Sequence, residues 1–209
     1  MAEQPLPMPT RADFDEELAR ADTYGLLAAL LYAPPPEALL AQLQLAVTEP
    51  PGAAQAYLQP AWQALVGQAR TLTTAQVHDE YDTLFGGVGR PEVYLYASHY
   101  LSGFLHDQPL AALRAELAEL GLTRADGVAE SEDHIAYLCE VMRYLIAGDD
   151  AAICNLARQQ AFFARHLHPW VPALCDAVQQ HPAARFYAAV AGWLRAFIDI
   201  EAQAFEMAG

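Results

Sequence analysis

The chain has 209 residues, 54% apolar and 18% charged, which is enough apolar material to bury the core of one sizeable domain. Asp and Glu total 26 against 11 bases, a net charge of −15, and every base is arginine. A chain without lysine has no Walker-type phosphate loop and no Schiff-base or other catalytic lysine. Its acidic surface repels phosphate backbones, so no nucleic acid is expected as a partner and a cationic one is favoured.

Residues 1–11 carry three prolines and few apolar anchors and are expected to form a flexible arm; 12–209 read as a single domain. From Asp13 the pattern is helical, with Phe14, Leu18, Leu26 and Leu30 at turn spacing, until Pro34, Pro35 and Pro36 stop it. Helices are predicted next over 37–47 and 53–70. Thr73 or Thr74 caps a helix that gathers Val77, Tyr81, Leu84 and Phe85 in one apolar arc, with Asp79 and Asp82 pointing away. The glycines of 86–93 and Pro91 make that segment a loop.

Further helices are expected over 96–106 and 109–120, the second stopped at Gly121. Ser131 is expected to cap a helix with Glu132 and Asp133 in its first turn and Gly148 at its end. The remaining helices are placed at 150–166, at 169–180 opened by Pro169, and at 183–206. Alternating strand patterns and hairpin turn pairs are missing, and alanine makes up about a fifth of the chain. The prediction is an all-α domain of about nine to eleven helices.

Cys139, Cys154 and Cys175 form no C-x-x-C, so they read as reduced core residues rather than a zinc ribbon or redox pair. The first residues lack a basic start followed by an apolar run, and the apolar stretch 25–36 is too short to span a bilayer. A cytoplasmic protein without stable membrane insertion is expected.

Three constellations could carry chemistry. The acids and imidazole of 130–134 could bind a metal, and a metal-dependent hydrolase using Glu130, Asp133 and His134 is one alternative. No histidine follows a glutamate by three residues and no H-E-x-x-H occurs, so a diiron bundle or zincin site is excluded and no metal is assigned. Tyr81, Leu84 and Phe85 before a glycine loop read either as a buried helix end or as a wall for gripping a peptide. His166, His168 and Trp170 read as packing across a helix junction. A helical scaffold that binds a folded partner is a further alternative.

The motifs Y-D-T-L-F-G-G at 81–87, P-E-V-Y-L-Y-A-S at 91–98, E-S-E-D-H-I at 130–135, F-F-A-R-H-L-H-P-W at 162–170 and A-R-F-Y-A-A-V-A at 184–191, in this order, resemble the TorD/DmsD/NarJ family of redox-enzyme maturation chaperones. The resemblance covers about 14–205. One departure is Ser131, where the family's central motif has proline. The resemblance implies an all-helical, cytoplasmic, non-enzymatic protein. Its partner would be an apo molybdopterin-dependent oxidoreductase subunit, held through its twin-arginine leader or N-terminal segment until the cofactor is loaded. It further implies a monomer or swapped dimer, and no cofactor beyond weak guanine nucleotide binding. The peptide-binding residues it suggests are Tyr81, Leu84, Phe85, Pro91, Tyr96, Ser98, Glu130, Asp133 and His134. Glu80, Asp82 and Glu132 are added as acids suited to a basic leader.

Overall fold

Prolines 34–36 leave the preceding helix without a C-terminal glycine turn, and the carbonyls freed there are satisfied from other helices. The structure is a computed structural model describing residues 11–48, 57–86, 90–125 and 129–208; the glycine-rich 87–89 and all but Arg11 of the expected arm 1–11 lie outside them. Ten helices are described: α1 (Arg11–Tyr32), α2 (Glu37–Leu45), α3 (Gln59–Thr71), α4 (Thr74–Leu84), α5 (Ala97–Ser102), α6 (Gln108–Glu119), α7 (Ile135–Ala147), α8 (Leu156–His166), α9 (Val171–Gln180) and α10 (Phe186–Ala208). Among the described residues there is no strand, only one isolated antiparallel bridge between Tyr96 and His134.

Tyr81 Oη on α4 donates to Tyr32 O at 2.9 Å and Leu31 O at 3.3 Å, Tyr187 Oη on α10 to Leu30 O at 3.2 Å, and His78 Nε2 to Pro35 O at 2.8 Å. Three side chains thus take up the carbonyls that the end of α1 and its proline turn leave open. Thr73 caps α4 in a reciprocal box with Gln76. Glu80, one residue before Tyr81, is buried and accepts the backbone N–H groups of Arg185, Phe186 and Tyr187 at 2.7–3.1 Å. It closes the N-terminus of α10, where a carboxylate meets both the free amides and the positive end of the helix dipole. Glu80 is therefore a structural cap, withdrawn from the candidate leader-binding acids.

Helix α10 is the spine of the core, with Phe186, Tyr187, Val190, Trp193, Leu194, Phe197, Ile198 and Phe205 buried; α9 and α3 pack on it, and α1 packs along α7. One buried ion pair fixes this arrangement. Arg20 reaches Glu201 on α10 through two parallel 2.8 Å bonds, and Tyr24 Oη donates to the same carboxylate at 3.0 Å. Glu201 is 2% exposed.

Several boundaries differ from the sequence reading. α5 stops at Ser102 rather than 106 because Gly103 turns left-handed at φ +81°. α7 begins at Ile135, so Ser131, Glu132 and Asp133 form a turn before it rather than its cap and first turn. α8 starts at Leu156 behind an Asn155 cap, since 150–155 are wound into turns around Asp150. The proline that opens α9 is Pro172, not Pro169. Gly121, at φ +70°, does terminate α6. Cys139 and Cys175 are buried, whereas Cys154 is half-buried; all three are free thiols. Trp170 Nε1 donates to His166 O at 2.6 Å, which is the junction packing expected of this pair.

Glu201→Ala should cost about 3 kcal/mol in urea unfolding, because Arg20 would keep only the partly exposed Glu17 as counter-ion and the buried Tyr24 hydroxyl would lose its acceptor. Replacing Arg20 and Glu201 together by Met and Leu should recover most of that loss.

Candidate functional site

The segments 94–98 and 130–135, far apart in sequence, are joined through their backbones: Ala97 N donates to Asp133 O at 3.0 Å and Ile135 N to Leu95 O at 2.9 Å. Asp133 completes the joint. One carboxylate oxygen accepts Ser98 N at 2.9 Å and the other accepts Ser131 Oγ at 2.5 Å. A turn closed by His134 N donating to Ser131 O at 3.1 Å, not a helix, brings the carboxylate to Ser98 N in the first turn of α5, which is why Asp133 does not begin α7 itself. Asp133 and Ser98 are 1% and 0% exposed, so both position the site from beneath.

His134 caps α7, its Nδ1 accepting Ala136 N at 3.2 Å. That bond makes Nδ1 the acceptor and leaves the proton on Nε2; among the described residues nothing accepts from Nε2. Burial holds the imidazole neutral, lowering its pKa from 6.5 to about 4 despite Glu130 and Asp133 nearby. The positive end of α7 suits a neutral ring.

Around His134 stands a set of tyrosines. Tyr96 and Tyr32 meet its ring edge-on at centroid distances of 5.1 and 6.2 Å, and Tyr137 meets Tyr32 at 6.4 Å. Tyr81 joins through its bond to Tyr32 O. Tyr96 Oη donates to Glu130 Oε2. Tyr32 is exposed, and Tyr81, Tyr96, Tyr137 and Glu130 are half-buried. The Tyr81, Tyr96 and Tyr137 phenols are held above their ordinary pKa, chiefly by burial and for Tyr96 also by the bond to Glu130, so they stay neutral donors at neutral pH.

Of the residues suggested by the sequence, Tyr81, Tyr96, Glu130 and His134 come together here, with Asp133 and Ser98 below. Leu84 is fully buried in the core, so it cannot touch a ligand in this conformation. Phe85 is half-buried but turns toward α10, its ring 5.0 Å from Tyr187 and 5.1 Å from Tyr81. Pro91 is half-buried in the loop, which Val93 N closes onto Leu84 O at 2.9 Å. Glu132 is paired with Arg114 at 2.8 Å and Asp82 is exposed. The sequence reading missed Tyr32 and Tyr137. A large tyrosine directly before the proline turn, and another one turn into α7, were the available signals.

A shallow depression of about 200 Å³ between α6 and α7 is lined by Leu117, Leu122, Arg124, Val141 and Tyr137, so Tyr137 borders both it and the tyrosine set. Among the described residues no group of three or more His, Cys, Asp or Glu is arranged to hold a metal ion. No described helix is long and apolar enough to cross a membrane.

A family model described as nitrate reductase delta subunit matches residues 49–176. Similar curated proteins are each named chaperone protein TorD. One from Vibrio cholerae is 29% identical over 127 residues, 57% of this chain and 58% of that protein. One from Aliivibrio fischeri is 25% identical over 142 residues, 64% of this chain and 66% of its own. A third, from Vibrio atlanticus, is 26% identical over 159 residues, 70% and 74% of the two chains. Against the first, the match thus spans rather over half of the relative's length.

As the pH falls below 6.5 the unfolded chain protonates His134 first, so its contribution to stability is complete above 6.5 and is lost progressively toward pH 4. His134→Gln should remove about 2 kcal/mol of the stability lost between pH 7.5 and 5.0, read by urea titration at the two pH values.

Proposed function

The chain belongs to the nitrate reductase delta subunit family, and on that premise we propose that it is a maturation chaperone, not an enzyme, for a molybdenum-dependent oxidoreductase. It captures the N-terminal leader of the apo catalytic subunit in the cytoplasm and holds it until the cofactor is inserted. The relatives' shared name, chaperone, supports the general reading. The observation that carries the leader-binding part is the half-exposed tyrosine set of Tyr32, Tyr81, Tyr96 and Tyr137 around Glu130, above a neutral, buried His134.

A twin-arginine leader is a pair of cations followed by an apolar stretch. Aromatic faces and a carboxylate suit the first part. Tyr137 and the depression between α6 and α7 suit the second, each buried Å² of apolar area contributing roughly 25 cal/mol. The net charge of −15 draws a cationic leader in and speeds its encounter. Asp133, Ser98 and Ser131 act by fixing the 94–98 and 130–135 segments rather than by touching the leader. The protein uses no cofactor in this role, and no residue is assigned to guanine nucleotide.

Calorimetric titration with a synthetic twin-arginine leader should give micromolar or tighter binding. Tyr96→Ala and Tyr32→Ala should each weaken it about tenfold, and affinity should fall as salt is raised. Absence of binding to the leader and to the full apo subunit of every molybdoenzyme encoded beside it would overturn the proposal. Binding of a folded subunit without binding of the free leader would favour a scaffold role.

A further inference from the structure

The acids around the site are numerous, yet three of them are already committed. Glu80 accepts three backbone amides at the start of α10. Asp133 is filled by Ser98 N and Ser131 Oγ, and Glu132 by Arg114. Asp82 and Glu92 are exposed, where water and salt leave an ion pair worth little. Glu130 differs from all of these. It is half-buried, and among the described residues its side chain accepts only the Tyr96 hydroxyl and has no ion-pair partner.

The surroundings of Glu130 are aromatic. Tyr96 is bonded to it, Tyr81 feels its charge, and Tyr32 is linked to both through His134 and the Tyr81 hydroxyl. The cation nearest by hydrogen bonding is Arg124, whose Nη1 donates to the Glu130 backbone carbonyl at 3.1 Å rather than to its carboxylate. A half-buried carboxylate among aromatic rings gains more from a cation than an exposed one, and a planar, weakly hydrated guanidinium can stack on a ring while bonding the carboxylate.

Resting on the leader-binding reading, we infer that Glu130 with the rings of Tyr32, Tyr81 and Tyr96 forms a subsite for one guanidinium, so that one arginine of the leader's pair is read there and the other is not. The incoming guanidinium bonds Glu130 in place of the Tyr96 hydroxyl. The second arginine contributes only through the long-range acidic field.

Titrations of the full-length protein with four leader peptides separate the possibilities: the natural pair, each single Arg→Gln change, and the double change. One single change should weaken binding about tenfold or more and the other less than threefold. Lysine at the sensitive position should bind several-fold more weakly than arginine. Glu130→Gln, of unchanged shape, should lower affinity for the natural leader to that of the sensitive single-change peptide, with little further loss when the two are combined. Arg124→Gln, which removes a nearby like charge, should tighten binding several-fold. Equal losses at the two arginines, or full additivity between Glu130→Gln and the sensitive change, would overturn this subsite while leaving leader binding intact. Loss of binding to every peptide would overturn both.

Discussion

The Asp133 carboxylate, buried and divided between an amide of one segment and a hydroxyl of its own turn, holds the candidate site together. Neither 94–98 nor 130–135 is helical enough to carry its own place in a bundle of helices, and α5 is only six residues long. Two backbone bonds and the bond from Ser98 N to Asp133 lock them to each other, while Ser131 Oγ fixes the carboxylate from within its own turn. Tyr96, Glu130 and His134 then follow as immediate neighbours of locked atoms. A carboxylate with filled acceptors in a desolvated place tolerates little substitution, because each abandoned donor would remain buried and unpaired.

The site separates two roles that acidic proteins often mix. On the proposed reading, attraction over distance comes from the net negative charge of the chain, while contact falls to phenols kept protonated and one carboxylate, above an imidazole kept uncharged by burial. Because burial lowers its pKa to about 4, His134 stays uncharged across the range in which an ordinary histidine would switch.

Much of this was legible in the sequence, because the punctuation was strong. Prolines 34–36, Thr73, Gly121 and Gly148 each mark a helix end where it occurs. The errors fell where side chains compete with helix formation. Glu132 and Asp133 looked like a first helical turn, but Asp133 is taken by α5 and Glu132 by Arg114, and helix α7 starts only after both. Glu80 could not be told from the neighbouring free acids, since its partners lie more than a hundred residues away. Leu84 and Phe85 carry the family resemblance, yet one is core and the other faces α10. Periodicity could place them on an apolar arc without saying what covers that arc. Tyr32 and Tyr137 escaped because an aromatic outside the core has no pattern of its own.

Glu80 and Tyr81 are consecutive, and on a helix consecutive side chains diverge by about 100°. One fastens α4 to the last helix, the other to the end of the first. Turning α4 to bring Leu84 outward would strip three amides of their acceptor and reopen the carbonyls of α1 in the same motion. On the proposed reading α4 is therefore a fixed wall, and any adjustment to a guest falls to side chains outside it.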